Sequence, residues 1–269
     1  MITATLIDSM GSDLSVVNAA RVSFGKKSKW VCSDCKGTNW KADWDYDHYC
    51  ADCRLGDHVS LSDKDTKLVQ YLAKHKHYSP FGHCFASFHI KAPIFVARQL
   101  VKHEYLRMNE ISRRYVDSEP EFYVPEVWRG RAKDKKQGSE GVVDLEYHEA
   151  YGGKHIKDRW QESFEWSEKY VPEYALLDKV QDVEDDSLSL YNTLLKAGVS
   201  PEMARMVLPQ SMYTEWYWSG SMDAFANMCA LRLKEDTQYE TRLVAQQIDT
   251  MMAGLFPVSW KALVPNDNT

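Results

Sequence analysis

The stretch Arg98-Gln-Leu-Val-Lys-His-Glu-Tyr-Leu-Arg-Met-Asn-Glu-Ile-Ser-Arg-Arg-Tyr115 places many charged and polar side chains directly after an apolar segment, Phe85–Ala97. Such a density of charge beside a buried element costs free energy unless the groups bind one another or a polar ligand. The stretch therefore predicts a binding site next to the core. Before it, residues 85–92 alternate as in a half-buried strand, and Pro93 suits the first turn of a helix that ends near Lys102.

Length and composition bound the class of protein. With 269 residues, 44% hydrophobic and 27% charged, the chain has globular composition and can form one large domain or two small ones. A formal net charge of −6 argues against a general nucleic-acid-binding protein, although a local basic patch stays open. No apolar run approaches the roughly 18 residues that span a bilayer, and the N-terminus does not have the features of a signal peptide. We expect a cytoplasmic protein with no membrane partner.

Helical and strand patterns follow one another along the chain. Residues 63–75 have the spacing of an amphipathic helix, with Ser62 as its N-cap. Ser200 and Pro201 predict the start of another helix, and Gly198 the end of the one before it. Residues 182–186 are predicted to be a solvated acidic cap or link, and residues 129–141 a solvated loop. The other expected elements are strands at 2–7 and 213–218, a strand or extended active-site segment at 109–115, a helix or turn running into a strand at 14–24, and helices near 150–180, 188–196, 223–234 and 239–255.

Two Cys-x-x-Cys pairs, Cys32–Cys35 and Cys50–Cys53, are separated by 14 residues within the segment 26–60. This spacing is typical of a zinc ribbon, in which each pair gives two thiolates to one tetrahedral ion. The segment has almost no aliphatic residues, so a metal would have to replace the missing core. We therefore predict a structural Zn²⁺ bound by four cysteines. A redox-active or unoccupied pair is the alternative.

Several segments resemble, in order and spacing, the motifs of the flavin-dependent thymidylate synthases. The family's Arg-His-Arg followed by seven residues and a Ser corresponds to Lys102-His103-Glu104 and Ser112. The other matching segments are Asn18–Phe24, His77–His83, Pro93–Gln99, Asn109–Tyr115, Gly198–Pro209, Tyr213-Thr214 and Leu231-Arg232. The resemblance covers residues 1–25, 62–125 and about 188–257.

The resemblance implies an α+β fold with a central, mostly antiparallel sheet flanked by helices. Residues 1–269 would form a single domain, with the zinc ribbon inserted at 26–60. The implied reaction moves a one-carbon unit from methylenetetrahydrofolate to C5 of dUMP, giving dTMP, with FAD as cofactor and NADPH as reductant. The flavin would supply the redox chemistry, and the protein would supply position and charge. The family also implies a homotetramer.

The resemblance also assigns roles to residues. Arg232 matches the cation that polarises the uracil carbonyl edge, a task that suits a planar guanidinium. Arg114 and Arg205 match the phosphate-binding arginines. The implied dUMP-binding residues are Gln99, Glu110, Ser112, Arg113, Arg114, Arg205 and Arg232. The implied FAD-binding residues are Ser23, His77, Ser79, Lys102, His103, Glu104 and Asn227.

The chain departs from the family at several cofactor positions. Lys102 keeps a positive charge but loses the guanidinium fork, and Glu104 would repel a pyrophosphate. Ser221, Asp223 and Asp236 replace a typical Asn, Arg and His.

Two explanations compete for these departures. Arg107 and Arg113 could restore the lost positive charge and keep FAD bound. Alternatively, cofactor use has changed and the enzyme makes a different pyrimidine nucleotide, such as a 5-hydroxymethyl product. A third hypothesis, from another class, is a zinc-ribbon binding protein on a degenerate scaffold, but its segment 26–60 is rich in aspartate and so suits phosphate poorly.

Overall fold

The computed structural model describes residues 1–33, 36–38, 40–41, 49–50, 59–116, 118–133, 138–143, 145 and 176–264. The strands are β1 (Thr3–Met10), β2 (Val31–Cys32), β3 (Trp40–Lys41), β4 (Tyr49–Cys50), β5 (Val59–Ser60), β6 (Phe85–Pro93), β7 (Leu106–Glu110), β8 (Arg129–Arg131), β9 (Ser139–Val142) and β10 (Tyr213–Ser221). The α-helices are α1 (Asp13–Arg21), α2 (Asp63–Lys74), α3 (Ile94–Leu100), α4 (Leu176–Lys196), α5 (Pro201–Ala204), α6 (Met222–Arg232), α7 (Tyr239–Leu255) and α8 (Pro257–Leu263). Short 3₁₀ turns follow α1 at Val22–Phe24, precede β6 at Phe81–His83 and follow α5 at Arg205–Val207.

The chain divides into two compact units. The first contains residue 1, residues 92–97 and residues 111–214; the second contains residues 2–91, 98–110 and 215–269. Within the described residues, no helix is both long and apolar enough to cross a membrane.

A four-stranded sheet, in the order β1-β6-β10-β7, organises the second unit. β1 pairs antiparallel with β6, and β7 pairs antiparallel with β10. Ser87 meets Ser219 while Lys91 meets Glu215, so β6 and β10 also run in opposite directions. The sheet is therefore antiparallel, and together with the surrounding helices it confirms the predicted α+β class.

The two faces of this sheet differ because the strands alternate apolar and polar residues. Phe88 and Trp218 are buried on one face, where both rings pack edge-on against Phe225 of α6, with centroids 5.1 and 5.5 Å away. On the other face, half-exposed His89 contacts Glu215 at 3.0 Å and lies beside the ring of Tyr217. The apolar face fixes α6, and with it the side chains that α6 carries.

Two buried carboxylates tie helices of the second unit together. Asp13 accepts hydrogen bonds from the backbone N–H groups of Val258 and Ser259, at 3.0 and 2.8 Å, and so caps α8 from α1. Asp65 accepts from Arg21 of α1 and from Ser28. Burial alone would raise the pKa of Asp65, but its hydrogen bonds and the charge of Arg21 more than offset burial and hold that pKa below its usual value.

The first unit corrects two predictions. Residues 182–186 are not a cap or link, because they lie inside α4. Four of them are exposed as predicted, but Glu184 is buried and accepts a 2.7 Å hydrogen bond from the Ser211 hydroxyl. The segment 129–141 is not a plain loop either, because β8 and β9 pair as an antiparallel hairpin. In the first case the contact comes from Ser211, which is distant in sequence, and in the second it comes from the paired strand.

Several local predictions are confirmed. Ser62 caps α2 through its hydroxyl, and Pro201 is the first helical residue after Ser200. The helix predicted at 239–255 has the bounds of α7. Of the strand or extended segment predicted at 109–115, only residues 109 and 110 belong to a strand, since β7 ends at Glu110 and residues 113–115 form a turn.

Candidate active site

Arg232, the last residue of α6, is held by two groups of the segment 98–105. Its Nε–H donates to Nε2 of His103 at 2.9 Å, and its Nη2 donates to the carbonyl of Gln99 at 3.3 Å. Because Nε2 accepts this hydrogen bond, a neutral His103 carries its proton on Nδ1. The resemblance assigned Gln99 and Arg232 to dUMP and His103 to FAD, and the structure brings these three residues together.

Burial and charge keep His103 neutral. Desolvation first, and then the positive charge of Arg232, lower the pKa of His103 from 6.5 to about 4. Burial also lowers the pKa of Arg232, but an arginine stays protonated in a folded protein. The pair is therefore a fixed cation beside a neutral acceptor. Three of the five guanidinium N–H bonds of Arg232 remain without a partner among the described residues.

The side chain of Gln99 is fixed by two residues of the α7 N-terminus. Its amide N–H donates to Oε1 of Gln238, and its Oε1 accepts from the hydroxyl of Thr241 at 3.2 Å. The sequence reasoning missed Gln238 and Thr241, which lie more than 130 residues away from Gln99. The available signal was weak: both are polar residues at the start of a predicted helix, shortly after Arg232. One N–H and one acceptor site of the Gln99 amide remain for a ligand.

The other predicted residues of the second unit are accessible. Lys102 and Glu104 are exposed in the turn 101–105, and Glu110 is exposed at the end of β7. The remaining predicted FAD contacts are also exposed and accessible to a ligand: Ser23, His77, Ser79 and Asn227.

The first unit holds the predicted phosphate-binding residues. Arg114 donates from its Nε to the hydroxyl of Ser112 at 3.2 Å, and its guanidinium lies 5.0 Å from the ring centre of Tyr115. Arg205 is exposed after α5 and donates to the carbonyl of Glu202 at 3.3 Å. Arg113 donates to the carbonyl of Ser118.

Asp223, at the opposite end of α6 from Arg232, provides a test of the fit to a flavin. Its Oδ1 is buried and has no hydrogen-bond partner among the described residues. The backbone of the turn Phe81–His83 lies close by, since a Cβ on Gly82 would be 3.9 Å from that oxygen. A buried acceptor without a donor is costly, and a ligand N–H, such as the imide of a flavin, would satisfy it. The residues present therefore fit a flavin.

The predicted zinc site lies largely outside the described residues. Cys35 and Cys53 are not among them, and for Cys50 only the backbone is described, in β4. Cys32 is buried in β2, which pairs with β5. Within the described ranges, no three potential ligands are grouped around a common point. Zinc binding stays a prediction.

Comparisons with known proteins point to one family. The family model described as "Thymidylate synthase complementing protein" matches residues 5–258. A flavin-dependent thymidylate synthase of Thermus thermophilus is 36% identical over 257 residues, covering 96% of this chain and 73% of that protein. The one from Kosmotoga olearia is 32% identical over 259 residues, covering 96% and 88%.

Solved structures with a similar fold include a nucleotide methylase. A UMP/dUMP methylase, PolB from Streptomyces cacaoi bound with 5-Br dUMP, has a TM-score of 0.67 and 27% identity, and the match covers 97% of this chain and 94% of that one. The same methylase bound with 5-Br UMP has a TM-score of 0.66 and 26% identity. The family model matches most of the chain, and both relatives are more than 30% identical over 96% of it. The chain therefore belongs to the flavin-dependent thymidylate synthase family and is an enzyme of the nucleotide C5-methyltransferase class.

Proposed function

We propose that this enzyme transfers a one-carbon unit from methylenetetrahydrofolate to C5 of dUMP and makes dTMP, with FAD as cofactor and NADPH as reductant. The observation that carries the proposal is Arg232, a partly buried cation fixed by His103 and Gln99 with guanidinium N–H bonds left over. The relatives named as flavin-dependent thymidylate synthases and the neighbour named as a UMP/dUMP methylase support the choice of reaction.

Arg232 would act on the uracil ring. A guanidinium donates two parallel N–H bonds and so suits a carbonyl edge. Donors fixed before the reaction stabilise the charge that develops on the carbonyl oxygen, and they do so more strongly away from water. Withdrawing electrons there makes C6 more electrophilic, which prepares C5 for bond formation. His103 would keep the guanidinium in place without adding a second positive charge.

Arg114 and Arg205 would bind the nucleotide phosphate. Both are exposed, and Ser112 orients Arg114 through the 3.2 Å hydrogen bond. Arginine suits a phosphate because its N–H bonds can contact two oxygens at once. Arg113 is already engaged with the Ser118 carbonyl, so we assign it to shaping this turn. Gln99 and Glu110 would contact the pyrimidine side of the ligand.

FAD would supply hydride transfer when bound. The exposed ammonium of Lys102 would bind its phosphates, and the unpartnered Oδ1 of Asp223 would accept an N–H of its ring system. The Nδ1–H of His103 provides one further donor. The predicted contacts from Ser23, His77, Ser79 and Asn227 complete this proposal. Glu104 opposes phosphate binding, so we expect the anionic part of the cofactor to lie nearer Lys102.

Three further features remain proposals. Cys32, Cys35, Cys50 and Cys53 would bind one structural Zn²⁺, the chain would form a homotetramer, and it would act in the cytoplasm. Elemental analysis of the purified protein tests the first: one zinc per chain supports it, and a zinc-free folded protein contradicts it. Light scattering tests the second.

Product analysis tests the reaction. The purified enzyme is incubated with dUMP, methylenetetrahydrofolate, NADPH and FAD, and the nucleotide product is weighed by mass spectrometry; UMP serves as a second substrate. We expect a gain of one CH₂ on dUMP. We also expect Arg232→Ala to abolish turnover and keep a wild-type circular dichroism spectrum, while the matched Arg131→Ala, on the exposed hairpin, stays active. Full activity of Arg232→Ala would remove Arg232 from the mechanism.

The charge change at Glu104 favours one alternative. An acidic residue at this cofactor position would repel a pyrophosphate, which fits altered cofactor use with a modified pyrimidine nucleotide as product. A gain of CH₂O in the same assay would identify a 5-hydroxymethyl product and replace the leading proposal. Absence of any product, with a folded protein that binds nucleic acid, would instead favour the zinc-ribbon binding protein.

A further inference from the structure

Tyr105 has an unusual backbone conformation. Its φ is 64°, in the left-handed region that bulky side chains avoid. Two other described non-glycine residues have positive φ, and their positions explain it. Lys76 ends α2 with the hydrogen bonds of a Schellman motif, from Lys76 N–H to Ala73 and from His77 N–H to Leu72, and Lys36 closes a tight turn onto Cys32. Tyr105 follows a turn, not a helix end of this kind.

Close packing holds the backbone of Tyr105 in place. The next residue, Leu106, begins β7 opposite Gly220 of β10. A Cβ on Gly220 would lie 2.4 Å from Leu106 Cδ2 and 3.0 Å from the carbonyl oxygen of Tyr105. A side chain at position 220 would therefore require Leu106 to move and the Tyr105 carbonyl to shift by a few tenths of an ångström. A left-handed conformation of this kind costs free energy and persists where the surrounding structure imposes it, often at a functional site.

Burial of the Tyr105 side chain does not offset the free-energy cost of the left-handed conformation. The Tyr105 side chain is 81% exposed. Among the described residues no ring, cation or hydrogen-bond contact to its side chain is present. A rigid backbone thus presents a free aromatic ring to solvent, two residues after His103. Its Cα lies within about 7.6 Å of that of His103, the span of two peptide units.

We propose that Tyr105 is a stacking contact for a planar heteroaromatic ring of a cofactor or substrate bound beside His103 and Arg232. The inference rests on the proposed function for the choice of ligands, which are the flavin, the pterin of the folate, the nicotinamide and the uracil. An exposed phenol ring held in one position offers a flat apolar surface to such a ring at little further entropic cost. The strain at Tyr105 then serves ligand binding.

Two substitutions of Tyr105 and one control distinguish the effect of the aromatic ring from the effect of backbone strain. Tyr105→Phe keeps both the ring and the conformation. Tyr105→Asn removes the ring and tolerates the left-handed region. Tyr217→Asn is the matched control, because it removes an exposed tyrosine from an ordinary strand position in β10. For each protein we measure thermal unfolding without ligands, FAD binding by quenching of flavin fluorescence, and KM values for dUMP, methylenetetrahydrofolate and NADPH.

We expect Tyr105→Asn to unfold at a higher temperature than the wild type and to lose about three- to tenfold in affinity for one of the four ligands. The ligand whose constant changes identifies the stacked ring. Tyr105→Phe and Tyr217→Asn should leave all four constants unchanged.

Unchanged constants in Tyr105→Asn would overturn the inference, as would an equal loss in Tyr217→Asn. A change of oligomeric state without a change in any ligand constant would also overturn it, because the ring would then serve a subunit contact. Failure of the proposed function is a separate result: the wild type would yield no dTMP, while direct binding of FAD, methylenetetrahydrofolate, NADPH and dUMP to the wild type and to Tyr105→Asn would still test the ring.

Discussion

Replacing His103 by Gln or by Asn tests how Arg232 is held. His103 accepts the Arg232 Nε–H through Nε2 at 2.9 Å. The Oε1 of a Gln reaches about as far from the backbone as Nε2 and can accept the same hydrogen bond. The amide of an Asn reaches only the position of Nδ1. The two variants therefore differ mainly in whether the acceptor for Arg232 survives.

The size of the effect follows from the charge on the donor. A hydrogen bond to a charged group contributes about 1.5–3 kcal/mol. Because His103 is only partly buried, solvent screening moves the expectation toward the lower end of this range. Each 1.36 kcal/mol is a factor of ten, so His103→Asn should lose about ten- to thirtyfold in kcat/KM for dUMP. His103→Gln should stay within about threefold of the wild type.

Steady-state kinetics with saturating FAD measure this difference. If Arg232 acts on charge that develops during the reaction, misplacing it lowers kcat more than it raises the KM for dUMP. Flavin absorbance of each variant checks that the cofactor stays bound, since the resemblance also placed His103 near FAD. Equal activity of the two variants would refute the positioning role of His103. A loss confined to FAD binding would assign His103 to the cofactor instead.

Three other predictions concern stability. Below pH 6.5 the unfolded chain binds a proton at His103 that the folded chain, with a pKa of about 4, does not bind. The free energy of unfolding should therefore fall by about 1–2 kcal/mol, after allowance for solvent screening, as pH decreases from 6.5 to 4. Urea titrations of wild type and His103→Gln should differ by this slope; parallel curves would contradict it. Asp13→Ala removes the acceptor of two backbone N–H groups, at 3.0 and 2.8 Å, and should cost about 1–3 kcal/mol in urea unfolding, with Asp13→Asn as the milder control. Gly220→Ala should lower the unfolding temperature, because the new Cβ would lie 3.0 Å from the Tyr105 carbonyl. Gly254→Ala in α7 should raise it, because a Cβ there would have no atom within 4 Å and alanine favours the helix. The reverse order of unfolding temperatures would refute the packing argument.

Sequence patterns correctly predicted the elements whose structure depends on residues close together in sequence. The 3.6-residue spacing of apolar residues gave the bounds of α7, and the hydroxyl of Ser62 marked the start of α2. The acidic run 182–186 shows the limit of such patterns. It was interpreted as a link because acidic residues are usually solvated. Glu184 is buried because Ser211, 27 residues later, donates to it, and nothing in the local sequence indicates that partner.

In the candidate site, too, the resemblance indicated which residues take part but not the contacts between them. The resemblance assigned Arg232 and Gln99 to dUMP and His103 to FAD, but it did not predict that His103 accepts a hydrogen bond from Arg232. Gln238 and Thr241 were missed because their contacts to Gln99 depend on where α7 begins relative to α3. Asp223 was noted only as a departure from the family. That its Oδ1 is buried without a partner is a property of packing, which sequence patterns do not report.

The geometry of α6 explains how the cofactor positions can change while the nucleotide positions do not. Asp223 lies in the first turn of this helix and Arg232 at its end, nine residues or about 13.5 Å apart. Both charges suit the helix dipole, since an acid is favoured at the N-terminus and a base at the C-terminus. The helix is fixed by buried residues such as Phe225, which packs on Phe88 and Trp218 of the sheet. Because α6 is rigidly packed, a change of charge at Asp223 leaves the position of Arg232 unaltered. The end of α6 that we propose polarises the uracil can therefore keep its position, while the departure at Asp223 is confined to the opposite end of the helix.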